Sequence, residues 1–181
     1  MNIAEIKTND IANGEGVRTS LFVSGCRHRC PDCFNAVAWD FNYGKPFTEE
    51  TENQILSSVA PPWIAGISLL GGEPFEPENQ AELLAFLKRY KEQYPDKDVW
   101  CYSGFTFEEI TGKTPSRAFT EISNQLLELI DVLVDGRYEK ALKNIMLKFR
   151  GSENQRVIDV KKTLAQGEIV LYLSNEAVER R

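Results

Sequence analysis

Three of the four cysteines fall within eight residues, in the segment Gly25-Cys26-Arg27-His28-Arg29-Cys30-Pro31-Asp32-Cys33-Phe34-Asn35. Three residues separate the first pair and two the second. Thiolates so closely spaced can converge on one metal centre. A structural zinc site takes four protein ligands, so three cysteines alone suit an iron–sulfur cubane that leaves one iron open to a substrate. The competing zinc site would use Cys26, His28, Cys30 and Cys33, although His28 between two ligands would crowd the loop. The fourth cysteine, Cys101, stands alone between Trp100 and Tyr102 and reads as core. Disulfides in a secreted chain would favour an even, dispersed set instead.

A second group is Gly71-Gly72-Glu73-Pro74. Two residues without side chains let backbone groups approach a ligand closely. Those groups, with Glu73, can satisfy an ammonium. The same four residues also fit an ordinary strand-to-helix turn stiffened by Pro74. Phe34 and Trp39 can shield a bound cluster, or simply pack. Asn35 is a polar contact or a turn residue. Asp135-Gly136-Arg137 offers a carboxylate to a ribose or a partner backbone, or is a satisfied turn aspartate.

These residues need a frame, and the pattern supplies one. Strands are expected over 19–24, 66–70, 98–102 and 131–134. Thr48 caps a helix running to about Val59, with Glu49, Glu50 and Glu52 near its positive end. A second helix starts near Pro77, and Leu83, Leu84, Leu87 and Tyr90 share one of its faces. Thr106 to Glu109 fits a capping box, and 116–129 reads as helical. Beyond Tyr138 the pattern weakens, with extended stretches expected at 149–160 and 169–173. Alternating strands and helices imply an α/β fold with a mostly parallel sheet. Ligands bind beyond the carboxyl ends of such strands. The cysteine loop, Gly-Gly-Glu-Pro, Tyr102-Ser103-Gly104 and Asp-Gly-Arg should therefore share one rim.

The whole chain sets the bounds. Its 181 residues suit one domain, 1–181, with a less regular C-terminal part from about 157. A hydrophobic fraction of 42% and a charged fraction of 27% argue for a folded globule. A formal net charge of −6 argues against general nucleic-acid binding. No apolar run approaches the roughly 20 residues of a membrane span. Residues 1–10 lack the pattern of a signal peptide, so the expected compartment is the cytoplasm. Residues 137–162 hold eight Lys or Arg against three Asp or Glu. Such asymmetry suggests a docking face for an acidic partner, with Arg150 and Arg156 as candidate contacts, or a solvated face.

The cysteine spacing followed by Gly-Gly-Glu-Pro resembles the radical S-adenosylmethionine superfamily. That superfamily usually carries an aromatic residue just before the third cysteine. Here Asp32 takes that place and Phe34 follows the cysteine, as in one branch. The closer resemblance is to the activating proteins of anaerobic ribonucleoside-triphosphate reductases. It rests on 10–18, 21–35, Pro46-Phe47-Thr48, 66–74, Tyr102-Ser103-Gly104-Phe105, 132–137 and Phe149-Arg150-Gly151-Ser152-Glu153-Asn154-Gln155-Arg156.

The resemblance implies an open partial (β/α) barrel and an oxidoreductase that activates a glycyl-radical enzyme. It implies a [4Fe-4S] cluster on Cys26, Cys30 and Cys33. S-adenosylmethionine would bind at Asp32, Cys33, Phe34, Gly71, Gly72 and Glu73. One electron, from a donor such as a flavodoxin, would cleave the sulfonium bond to methionine and a 5′-deoxyadenosyl radical. That radical would take the α-hydrogen of a glycine in the large reductase subunit. No other catalytic side chain is implied, because cluster and cofactor carry the chemistry. Two alternatives remain: an enzyme of the same superfamily acting on a small molecule such as a pterin or deazapurine precursor, and a zinc-stabilised binding module. The few strand–helix units leave an open side suited to a protein substrate.

Overall fold

Side chains alternate along the central strands, and the alternation gives the sheet two different faces. A computed structural model describes residues 1–173. Its strands are β1 (Asn2–Asp10), β2 (Val17–Val23), β3 (Lys45–Pro46), β4 (Ile64–Gly71), β5 (Asp98–Tyr102), β6 (Val132–Asp135) and β7 (Arg156–Asp159). Its helices are α1 (Glu49–Val59), α2 (Pro77–Gln93), α3 (Phe107–Ile110), α4 (Ser123–Glu128) and α5 (Val160–Gln166). One face carries Leu21, Val23, Ile67, Leu69, Val99, Cys101, Leu133 and Ile158. These form the main core with Ile55 and Val59 of α1, Leu83 and Leu87 of α2, and Leu126 and Leu127 of α4. The other face carries Trp100, Val132, Val134 and Val157, with Tyr102, Phe149 and Leu173 packed against them.

The strands form one sheet in the order β3-β1-β2-β4-β5-β6-β7, and it does not close. β2, β4, β5 and β6 run parallel, so the loops after them lie at one end of the sheet. β1 and β7 flank this centre antiparallel. The expected parallel sheet is thus present at the centre and reversed at both sides. Thr48 caps α1 by accepting from Thr51 N at 3.3 Å, and the Thr106–Glu109 capping box forms at α3.

Three elements differ from the sequence expectation. The sequence shows no strand in 2–10, because four of the nine β1 residues are exposed and polar and only Ile3 and Ile6 are large and apolar. The helix expected over 116–129 shrinks to Ser123–Glu128. Short polar side chains there compete for the backbone: Ser116 Oγ accepts from Ala118 N, and Ser123 Oγ accepts from Thr120 N and donates to Ile110 O. The C-terminal part is no appendage as far as Leu173. β7 pairs with β6, Ile158 bridges Leu171, and Tyr172 N donates to Val157 O. Of the expected extended stretch 149–160, only Arg156–Asp159 is strand.

A polar network fastens the β1–β2 connection. Arg18 is fully buried and donates to Ser68 Oγ at 2.8 Å, Glu15 O at 2.9 Å and Ile67 O at 2.7 Å. Asp10 accepts from Ala12 N, Asn13 Nδ2 and Ser20 Oγ, and pairs with Lys7. Burial pushes the Asp10 carboxyl up, but these hydrogen bonds outweigh it and hold the group at about 2, below its ordinary 3.8. The folded-state value lies below the unfolded one. The contribution, about 2 kcal/mol, is therefore full above about pH 5 and lost as pH falls through about 2. Asp10→Asn should lower unfolding stability by about that amount at pH 7 and by about half as much at pH 3. Urea titrations at the two pH values check this.

Candidate metal centre

The loops after β2, β4, β5 and β6 meet around one cleft of about 530 Å³. The first gives Cys26, Cys30 and Cys33, the second Gly71, Gly72 and Glu73, the third Ser103 and Gly104, and the fourth Gly136. Tyr102, Phe149, Arg150 and Gln155 complete the wall. The rim inferred from alternating strands and helices is the one observed.

Backbone bonds anchor the cysteine loop at its base. Gly25 N donates to Ala38 O at 2.8 Å, and Cys26 N to Trp39 O at 3.1 Å. Arg27 N donates to Glu76 Oε1 at 2.9 Å, and Arg117 pairs with the same carboxylate. Arg29 and Asp32 adopt positive φ, 49° and 58°, which lets the chain double back within eight residues. Cys26 is buried, Cys30 and Cys33 are half-buried, and none forms a disulfide. Burial, aided by the Glu73 charge, pushes the Cys26 thiol up to about 12. Burial and the neighbouring Cys33 raise Cys30. Both thiols must give up protons to bind metal, so loading favours higher pH. Among the described residues, no three His, Cys, Asp or Glu side chains gather closely enough for a single metal ion. A lone zinc draws thiolates to about 2.3 Å from one point, whereas a multi-iron cluster spans a wider set.

The Gly-Gly-Glu segment lines the cleft but engages the cysteine loop. Gly72 N donates to Val23 O at 2.7 Å, and Glu73 N to Gly25 O at 2.9 Å. A Cβ on Gly72 would stand 2.6 Å from Gly25 O and 2.9 Å from Ala38 O. A Cβ on Gly71, at φ 109°, would stand 2.7 Å from the Phe22 and Val23 backbone. The missing side chains therefore serve the close approach of β4 to the loop base. Glu73 is buried, and its carboxylate accepts from Phe75 N at 2.9 Å, Ser103 Oγ at 2.8 Å and Gly104 N at 2.7 Å.

His28 points into the same knot. Its Nδ1 accepts from Arg137 Nε at 2.7 Å. Its Nε2 lies 3.2 Å from Glu73 Oε2, at an angle short of a hydrogen bond. Both nitrogens thus face partners other than the cysteines, against the Cys3His arrangement. Phe34 is 83% exposed at the cleft mouth and is not core. Trp39 is half-buried in the wall. Asp32 is exposed and pairs with Lys140 at 2.8 Å, whose hydrogen bond holds its carboxyl below the usual range.

Sequence reasoning placed Tyr102 on the rim, where it lies, but gave it no role. Its hydroxyl is buried in the wall without a hydrogen-bond partner among the described residues. The signal was its place one residue past Cys101, on the opposite face of β5.

Of the two readings of Asp135 the satisfied aspartate holds, and the reading of Arg156 needs correction. Asp135 is buried and does not offer its carboxylate to the rim. It accepts from Phe107 N at 2.7 Å and Arg156 Nε at 2.9 Å. Arg156 also pairs with Glu108 at 2.7 Å and so is committed within the fold. Arg156→Glu should leave a buried carboxylate facing another anion and cost about 3–5 kcal/mol. A urea midpoint far below that of the parent is expected. Arg150 donates to Gln155 O at 2.7 Å. Asn154 and Gln155 donate to the carbonyls of Arg137 and Gly136, so this segment braces the turn after β6.

An unclosed sheet with three cysteines on the loop after β2 carries the thiolate donor set of an iron–sulfur domain. The model of the 4Fe-4S single cluster domain family matches residues 12–158. Relatives from several sources bear the name anaerobic ribonucleoside-triphosphate reductase-activating protein. The one from Pasteurella multocida strain Pm70 is 44% identical, over 86% of this chain and 95% of its own. That from Escherichia coli strain K12 is 40% identical, over 87% and 97%. That from Enterobacteria phage T4 is 36% identical, over 87% and 93%. The chain belongs to the family of anaerobic ribonucleoside-triphosphate reductase-activating proteins.

Proposed function

We infer that this protein activates an anaerobic ribonucleoside-triphosphate reductase by installing a glycyl radical on its large subunit. The observation that carries the reading is the shared cleft: three cysteines on one loop, beside a Gly-Gly-Glu strand end and a tyrosine hydroxyl with no hydrogen-bond partner among the described residues. The donor set fits a [4Fe-4S] cluster, since thiolates are its ligands and three leave one iron for substrate. Cys26, Cys30 and Cys33 would hold it. When bound, the cluster supplies the electron that cleaves S-adenosylmethionine reductively.

The chain's own residues position and exclude. Gly71 and Gly72 bring β4 against the cysteine loop, and the cleft surface beside them takes the cofactor. Glu73 orients Ser103 and Gly104. Phe34, at the mouth, covers the cofactor once it is seated. Asp32, tied to Lys140, holds the outer turn of the loop. The chain works as one domain, in the manner of an open partial barrel. A flavodoxin-type donor delivers the electron in the cytoplasm. No helix among the described residues is long and apolar enough to cross a membrane. Docking falls to exposed basic residues such as Lys143 and Lys148 rather than to Arg156.

The test is anaerobic reconstitution with iron and sulfide, then a reductant, S-adenosylmethionine and the reductase. A glycyl radical signal by electron paramagnetic resonance, with 5′-deoxyadenosine formed, is expected. Bound iron with no 5′-deoxyadenosine would overturn the reading.

A further inference from the structure

His28 is the chain's sole histidine, and its side chain is only 3% exposed while Arg27 and Arg29 on either side face solvent. It touches every other strand-end segment of the cleft. After β4, Glu73 Oε2 lies 3.2 Å from Nε2. After β5, Phe105 meets the ring edge-on at a centroid distance of 4.3 Å. After β6, Arg137 Nε donates to Nδ1 at 2.7 Å. Gly104 makes room for it, since a Cβ there would stand 2.6 Å from His28 Cδ2.

We propose that His28 is a positioning residue, the strut that fixes the cysteine loop against the other three strand ends before any metal arrives. Between Cys26 and Cys30, the Arg137 and Phe105 contacts to its ring act beside the Arg27 guanidinium, which pairs with Glu76 and Glu78. The backbone anchors at Gly25, Cys26 and Arg27 hold the base of the loop, and Lys140 ties its outer turn through Asp32. Asn154 and Gln155 steady the turn that carries Arg137, so the brace before β7 reaches the cysteines through His28.

The deciding experiment is amide hydrogen exchange by mass spectrometry on the full-length apo chain. Losing the Arg137 hydrogen bond and the ring packing should speed exchange in 26–34 about tenfold in His28→Ala, with β4, β5 and β6 unchanged. Arg137→Ala should act in the same direction. The double variant should be no faster than His28→Ala, because both remove one coupled contact. His28→Asn keeps an acceptor near the Nδ1 position. It should recover part of the protection, and only when Arg137 is present. If His28→Ala does not fold, Gly104→Ala tests the same point by displacing the ring. Parental exchange in 26–34, or an equal rise throughout the sheet, overturns the proposal. A second arm rests on the cluster reading: iron should leave the reconstituted variants for a chelator faster than it leaves the parent. If the parent holds no iron, the cluster reading fails while the exchange result still decides the role of His28.

Discussion

Cys26→Ala, Cys30→Ala and Cys33→Ala chains should each emerge from anaerobic reconstitution without the brown iron–sulfur absorption and without cofactor cleavage. Cys101→Ala should take up iron as the parent does. The difference follows from placement. The first three thiols line the cleft after β2. Cys101 is fully buried on the helix-covered face of β5, among the main core residues, and burial raises its thiol well above the ordinary value. Its loss removes one small buried atom, at a cost of about 1 kcal/mol, and touches no cleft wall. Iron content and visible absorption read the outcome. Full iron in Cys33→Ala, or none in Cys101→Ala, would reassign the ligands.

Gly72→Val should lose the cluster together with the cofactor. The sequence alone suggests a milder effect, an obstructed cofactor above an intact cluster, because glycine pairs commonly admit a ligand. The geometry reverses this. Any Cβ at Gly72 meets the Gly25 and Ala38 carbonyls, and Gly25 precedes the first cysteine. A valine would have to push β4 and the loop base apart, breaking the Gly72–Val23 and Glu73–Gly25 hydrogen bonds. Iron per chain after reconstitution should fall to near zero. Full iron with weakened S-adenosylmethionine binding would return Gly72 to direct cofactor contact.

Much of this site was legible because it depends on local spacing. The cysteines are near in sequence, and the strand ends announce themselves by Gly, Ser and Asp after apolar runs. Thr48 and Thr106 cap their helices through neighbours three residues away. What escaped is contact across the chain. Arg137 meets His28 over 109 positions, and Arg156 meets Glu108 over 48. No local pattern marks Asp135 as buried rather than offered, since Asp-Gly-Arg reads alike in both cases. β1 escaped for another reason: a flanking strand with one solvated face carries too few apolar residues to betray its period.

An unclosed sheet has two borders, and bare borders invite other chains to add strands. Here one border is β3, two residues long, made of a lysine and a proline that has no N–H to give. Along the other, β7 has its outward groups taken by its own chain: Asp159 N donates to Val170 O, and Tyr172 N to Val157 O. The chain thus covers β7 and the start of β1, although β3 pairs only Asn2 and Ile3. The rest of β1 is guarded by its exposed Glu5, Lys7, Thr8 and Asn9, whose charge and polarity discourage a strand from another chain.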